Sequence, residues 1–311
     1  MKVFHSIAEA QDSLAGAALA LGNFDGVHVG HRALFEEAHR LGRPAALTFH
    51  PHPGKVLQPE LAPKLITTLH RKLELLEAAG LEAAIVQPFT LEFARTPAEQ
   101  FEAELFDRLR AAHAVVGGDF TYGARRGGDA AKLREAAARR GAGVHVVPPV
   151  TVDGVLASST RIREYILEGR VGAARRLLGR YFDLDGTVVP GQGRGRGIGF
   201  PTANVDTQNE LRPAAGVYAV RARLLDKGGD EPGRWRDAAA NIGVKPTFGG
   251  GEVTLEIHLL DFSGDLYGCA LRVQFLERLR DERRFASIDE LSGQIRRDIE
   301  AAREVCARAG D

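Results

Sequence analysis

A chain of 311 residues, 44% of them hydrophobic, is long enough for two packed domains with sizeable cores. Its 41 basic residues balance 41 acidic ones, so nothing in the overall charge points to nucleic acid or an anionic membrane surface. Only two cysteines, Cys269 and Cys306, stand in the chain, which excludes a disulfide framework and a thiolate zinc site. Met1–Ala10 lacks the pattern of a secretory signal, and no apolar run approaches the length of a bilayer span. A cytoplasmic protein with no membrane or nucleic-acid partner is expected, with weak self-association left open.

In chain order, Ala17 to Leu21 is an apolar run that reads as a buried strand. Gly22-Asn23-Phe24-Asp25-Gly26-Val27-His28-Val29-Gly30-His31 follows. Then Arg32–Leu41 repeats Leu34, Phe35, Ala38 and Leu41 at helical spacing. A strand, a glycine-bearing turn and a helix start place backbone N–H groups where a phosphate can be received. His28 and His31, three apart, share one face of that helix start. There they can donate to phosphate oxygens as charge builds during a displacement. A capping or exposed role is the competing reading, and for H-x-G-H alone the two weigh equally.

Ala45–Phe49 reads as the next strand, ending in His50-Pro51-His52-Pro53, where two prolines predict an extended loop. Leu69–Ala79 is helical in pattern, Glu82–Phe89 returns to strand, and Pro97–Ala111 is helical with Thr96 as its N-cap. His113–Val116 is a strand that runs into Gly117-Gly118-Asp119-Phe120-Thr121-Tyr122-Gly123. Asp129–Arg140 is helical and Val144–Val147 is strand. Strands alternating with helices predict a doubly wound parallel sheet, whose ligands gather at the carboxyl ends of the strands. The loops at 22–31, 50–53 and 117–123 and the one after 147 all leave strands at that end. Asp119 and Phe120 offer a polar contact and an aromatic wall for a flat ring, although a Gly-Gly-Asp turn alone reads as structural. Ser158-Ser159-Thr160-Arg161-Ile162-Arg163 opens a further helix. Capping explains its hydroxyls, but two arginines at the positive end of a helix call for an anion.

From Tyr181 the texture changes. Gly186–Val189, Gly216–Leu225, Ala238–Val244, Val253–Leu260 and Ala270–Leu276 are short strand-like runs without intervening helices, which predicts an antiparallel β-barrel or sandwich. Ile288–Ala307 is a final amphipathic helix with Ser287 as N-cap and Glu290 completing a capping box. The boundary falls near 179–185, giving domains 1–182 and 183–311, and Gly228–Gly233 reads as a hairpin tip. Within Gly191–Asn204, the glycines at Gly193, Gly195, Gly197 and Gly199 let backbone approach phosphates closely. The run ends in the patterned Phe200-Pro201-Thr202-Ala203-Asn204. Thr202 and Asn204, two apart on a strand, face one side, and their oxygens are hard ligands suited to Mg²⁺ beside phosphates. A Thr–Asn turn satisfying its own backbone is the weaker alternative. Alternation sets Glu256 opposite Leu255, Ile257 and Leu259, where a carboxylate can take a proton from an attacking hydroxyl. An exposed strand glutamate is the simpler reading of Glu256 taken alone.

Taken together, these motifs resemble the prokaryotic bifunctional riboflavin kinase/FMN adenylyltransferases, the FAD synthetase family. The N-terminal resemblance rests on G-N-F-D-G-V-H-x-G-H, the turn at Thr48–Pro53, Phe89–Phe101, Asp119 and Ser159-Thr160-Arg161. The C-terminal one rests on Gly193–Asn204, Gly216-Val217-Tyr218, Asn241–Thr247, Glu256, Asp265–Gly268 and Phe275–Phe285. His50 and Asp119 depart from the Glu and Asn frequent in the family. The resemblance implies a Rossmann-like nucleotidyltransferase domain followed by a riboflavin kinase barrel, with ATP, Mg²⁺, riboflavin, FMN and FAD as ligands. It implies that Gly22, Asn23, Phe24, Asp25, Gly26, His28, His31, Ser159, Thr160 and Arg161 bind ATP for adenylylation. Phe49, Pro53, Asp119 and Phe120 would meet flavin. In the kinase half, Gly193, Gly195, Gly197, Gly199, Pro201, Thr202 and Asn204 would bind ATP, Thr202 and Asn204 would also hold the metal, and Glu256 would be the base. A nucleotidyltransferase for another acceptor with a flavin-binding barrel, and a flavin-binding regulator without turnover, remain as alternatives.

Overall fold

A computed structural model describes residues 1–11, 13–191, 197–225, 233–245 and 252–310, apart from the side chains of Val244, Lys245 and Glu252. The chain divides into two compact units, Met1–Ser159 and Thr160–Asp311. The expected hairpin tip lies almost wholly outside the described residues, as do Gly193 and Gly195 of the glycine run and Pro246 and Thr247.

The first unit carries strands β1 (Lys2–Phe4), β2 (Ala18–Leu21), β3 (Pro44–His50), β4 (Ala83–Pro88) and β5 (His113–Gly117). After them come a small hairpin of β6 (Thr121–Tyr122) and β7 (Gly128–Asp129), β8 (Gly143–Val147), and a second hairpin of β9 (Thr151–Val152) and β10 (Val155–Leu156). Its helices are α1 (Ile7–Ala10), α2 (Val29–Leu41), α3 (Pro53–Leu57), α4 (Leu69–Ala78), α5 (Ala98–Ala103) and α6 (Ala130–Ala138). Six strands form one parallel sheet in the order β1-β4-β3-β2-β5-β8. Every residue of β2 is buried, as a strand covered on both faces requires. Its alternate side chains separate: Leu19 and Leu21 join one core with Leu47, Ile85 and Val116, while Ala18 and Ala20 join the other with Ala46, Ala84 and Val115. The small side chains on that second face let α2 pack close through Leu34, Phe35 and Ala38. The chain passes from β2 to β3 on one side and returns with β5 on the other, so the order reverses at β2. Such a switch point opens a crevice at the carboxyl ends of the strands, where the loops after β2 and β5 meet.

Two local expectations change. The loop at 50–53 is extended only up to His52, with a cis His50–Pro51 bond; Pro53 then opens α3, and its fixed φ suits a first helical position. The helix expected from Pro97 begins at Ala98, with Pro97 as its cap, and passes into a π-helical stretch over Glu104–Arg108. Thr96 makes no cap bond; its backbone instead closes the turn before it.

The second unit begins with α7 (Ser159–Leu167, whose first residue closes the first unit) and α8 (Val171–Leu178), which ends at Gly179 in the left-handed conformation. Strands β11 (Phe182–Val189), β12 (Ala203–Asp206), β13 (Gly216–Leu224), β14 (Arg236–Lys245), β15 (Glu252–Leu259) and β16 (Ala270–Arg280) then close a barrel in the order β11-β12-β15-β14-β13-β16. The barrel, not a sandwich, is the answer the spacing left open, and closure removes exposed sheet edges. Ala238, Ala240 and Ile242 pair with Leu259, Ile257 and Leu255, so these buried side chains share one face. α9 (Ile288–Ala309) packs Ala302, Val305 and Cys306 on Ala219 of β13 and Leu276 of β16. Ser287 Oγ accepts the Glu290 N–H (3.2 Å), and the Glu290 carboxylate reaches back to the Ala286 N–H (3.0 Å). Among the described residues no helix is long and apolar enough to cross a membrane.

Candidate functional site

In the first unit the turn after β2 is held from several sides. The Gly22 N–H donates to Leu47 O (3.1 Å). The Asn23 carbonyl accepts from Thr48 Oγ1 (3.0 Å) and from Lys72 Nζ (2.8 Å). The Asp25 carboxylate is buried and accepts the N–H groups of Ile66 (3.0 Å) and Thr67 (3.2 Å). Gly26, at φ +83°, donates to Thr67 Oγ1 (3.3 Å), and a Cβ there would lie 2.9 Å from Ile66 Cδ1. Phe24 and Val27 take positive φ, 49° and 42°, which is uncommon and costly for residues of their bulk. This strain sits in a turn that the surrounding bonds over-determine.

Of the side chains expected to meet ATP here, two turn inward. Phe24 is fully buried against His31 and Phe35, and Asp25 is committed to Ile66 and Thr67. Contact between a nucleotide and these two positions is therefore a matter for their backbone. His28 is the N-cap of α2, its Nδ1 accepting the His31 N–H at 3.3 Å. Its ring stacks on that of His31 with centroids 3.6 Å apart. Gly30 leaves room for this, since a Cβ would lie 3.1 Å from the His28 ring. Both readings of the pair thus meet in one place: His28 caps, and the two imidazoles stand together at a helix N-terminus. Ser159, the last residue of the first unit, donates through Oγ to the Asp25 carbonyl (2.9 Å). Within α7, Arg161 pairs with Glu164 at 2.6 Å, so an anion does face that arginine and comes from its own helix.

The loops after β3, β4 and β5 bring aromatic rings together. Phe49 lies 5.7 Å from Phe89 and 5.9 Å from Phe93, centroid to centroid. Phe120 stacks on Tyr122 (5.7 Å), whose hydroxyl donates to the buried Glu102 carboxylate (2.7 Å). Burial first, and then Glu102, push the Tyr122 phenol far above its ordinary range, which keeps it the proton donor of this bond. Asp119 is exposed, and Pro53 heads α3. Lys72, Glu102 and Tyr122 are residues that sequence reasoning missed. Each is a polar group on a helix or strand face whose neighbours give no sign that it is buried.

In the second unit Asn204 of β12 pairs in register with Glu256 of β15, which pairs with Asn241 of β14. These half-buried residues form a row on the face opposite Leu255, Ile257 and Leu259, as alternation predicts. Thr202 precedes β12 and is exposed. His258, two residues beyond Glu256, meets the Pro201 carbonyl through Nδ1 (2.8 Å) and lies edge-on to Phe200. A Cβ at Gly191 would land on the Asn204 amide, so the backbone there comes right up to that side chain. Gly197 and Gly199 are exposed, and Gly199 has φ +86°. A hydroxyl and an amide oxygen, as Thr202 and Asn204 offer, are the kind of hard ligand a divalent cation takes beside phosphates.

A parallel sheet with a histidine-bearing turn at its switch point, joined to a closed six-stranded barrel, defines a two-unit nucleotide-handling transferase. The FAD synthetase family model matches residues 10–161 and the riboflavin kinase model residues 178–306. The chain belongs to the bifunctional riboflavin kinase/FMN adenylyltransferase family. It is 39% identical over 306 residues to the Escherichia coli K12 member, covering 96% of this chain and 95% of the relative. The Bacillus subtilis member is 38% identical over 308 residues, covering 96% and 94%. The crystal structure of a macrolide-efflux protein from Streptococcus pneumoniae superposes with a TM-score of 0.88 at 32% identity, covering 97% of this chain and 99% of that one.

Proposed function

We propose that the chain makes FAD from riboflavin in two steps, in the cytoplasm where ATP is at hand. Residues 183–311 phosphorylate riboflavin with ATP, and residues 1–182 then transfer the adenylyl group of a second ATP to FMN, releasing pyrophosphate. What carries this reading is the presence in one chain of both constellations, the Gly22–His31 turn and the Asn204–Glu256 row, within two matched family models. In the kinase, Glu256 takes the proton from the ribityl hydroxyl as it attacks, and Asn204 beside it orients the phosphate. Pro201, Gly197 and Gly199 approach the nucleotide by their backbone, and the contacts expected of Gly193 and Gly195 lie outside the described residues. Thr202 and Asn204 are the residues that would hold Mg²⁺, which supplies charge neutralisation at the phosphates. In the adenylyltransferase, positioning and charge stabilisation do the work. The N–H groups of Asn23, Phe24 and Asp25 and the rings of His28 and His31 receive ATP phosphates, while Gly22, Gly26 and Ser159 hold the turn through Leu47, Thr67 and the Asp25 carbonyl. Phe49, Pro53, Asp119 and Phe120 border the flavin.

The test is to incubate the protein with riboflavin, ATP and Mg²⁺ and to separate the flavins over time. FMN followed by FAD is expected. FMN alone would leave the histidine turn without its acceptor, and neither product from folded protein would overturn the enzyme reading.

A further inference from the structure

Lys72 is a buried cation that the two reactions above leave without a role. It lies on α4 with 7% of its surface exposed. Its ammonium donates to the Asn23 carbonyl (2.8 Å) and to Thr48 Oγ1 (3.3 Å), and that hydroxyl donates in turn to the same carbonyl (3.0 Å). One carbonyl oxygen of the turn thus receives donors from two elements, α4 and the end of β3. A leucine or methionine would fill such a space without the cost of taking a charge out of water. The charge has to be explained by what it touches, and it touches the turn.

A trans peptide points its C=O and N–H in opposite directions. Holding the Asn23 oxygen toward α4 therefore turns the Phe24 N–H away from it. Phe24 and Val27 are the two strained residues of this turn, so the tether also acts where the backbone most needs support. We propose that Lys72 is a positioning residue for adenylyl transfer: it fixes the Asn23–Phe24 peptide so that the turn presents its N–H groups to ATP, and it sets a positive charge behind them. This rests on the assignment of the Gly22–His31 turn to ATP. Burial pushes the Lys72 pKa down to about 8, against the opposing pull of Asp25. From the turn, the charged group facing it is Asp25. The strand β3 brings only the Thr48 hydroxyl, and on α4 itself Arg71 closes onto Glu74 (2.8 Å). Lys72 is cationic below about pH 8 and neutral above, so the charge behind the turn is lost as pH rises through that value.

The test compares the wild-type chain with Lys72→Met and Lys72→Gln, following riboflavin phosphorylation and FMN adenylylation separately from pH 6.5 to 9.5. In the wild type, kcat for adenylylation should fall on the alkaline side with a midpoint near 8. Both variants should lose about 10- to 100-fold in that kcat near neutral pH. Their KM for FMN should stay within about two-fold, their riboflavin phosphorylation should be unchanged, and the alkaline limb should be gone. The wild-type profile stands without any variant having to fold, so its failure to bend near pH 8 would overturn the proposal. So would a Gln variant that adenylylates within about three-fold of wild type, or one that keeps the same alkaline limb. Absence of FAD from the wild-type chain would instead overturn the assignment beneath it.

Discussion

His28 caps α2, and the phosphate role proposed for it can be separated from that cap. Because its Nδ1 accepts the His31 N–H, the neutral ring carries its proton on Nε2 and keeps that edge as a donor. Substitution by alanine removes both functions, whereas asparagine is among the best N-cap residues and restores only the first. His28→Ala should cost the first unit about 1 kcal/mol in chemical unfolding followed by circular dichroism, and should lower FAD formation. His28→Asn should recover the stability and leave FAD formation low; recovery of both would reduce His28 to a cap. Gly26 gives a comparison in stability. At φ +83° with Ile66 Cδ1 2.9 Å from where a Cβ would stand, Gly26→Ala should destabilise by more than about 1 kcal/mol. Phe24 and Asp25 mark the limit of reading residues singly. Their place in a nucleotide motif was visible, but the direction of their side chains depends on Phe35, Ile66 and Thr67, which only the fold brings near.

At the scale of elements, the parallel sheet was legible because β2, β3 and β5 are short, largely apolar runs between helical periods. The barrel was less so, and β11 shows why. Only Gly186–Val189 stands out by pattern, while the strand runs from Phe182, because Asp183 and Asp185, although they keep the period of two with Phe182 and Leu184, are residues that strands ordinarily lack. Asp185 belongs there because Arg272 of β16, almost fully buried, binds it through two bonds of 2.6 Å. Two charges far apart in sequence hide one strand and staple the barrel. Removing Asp185 takes two charge-assisted bonds from the buried Arg272, a change of the kind that costs about 3–5 kcal/mol, while exchanging both for apolar residues is often neutral. Asp185→Ala should therefore lower barrel stability by that amount, and Asp185→Leu with Arg272→Met should recover most of it. Trp235, the only tryptophan, lies against Arg223 of β13 and reports this unit by its fluorescence during unfolding. A loss below about 1 kcal/mol in the single variant would show that the pair does not carry the barrel.

For the whole molecule, the central question is whether the two constellations work as independent catalysts within one chain. Each unit has its own core, and under the proposed reading each carries its own chemistry, so a change in one is expected to leave the other reaction in place. His31→Ala should lower FAD formation while FMN accumulates from riboflavin. Glu256→Ala should lose about 10²- to 10⁴-fold in riboflavin phosphorylation, the usual contribution of a general base, and still convert supplied FMN to FAD. Equal loss of both steps in either variant would contradict the division of labour. Mixing the two variants carries the argument further. If FMN leaves the barrel into solution before it is adenylylated, each chain supplies what the other lacks, and riboflavin should again become FAD at a rate that rises with protein concentration. If each variant keeps its remaining activity and the mixture still makes no FAD, FMN formed by one chain does not reach the other, and the two reactions must be coupled within a single molecule.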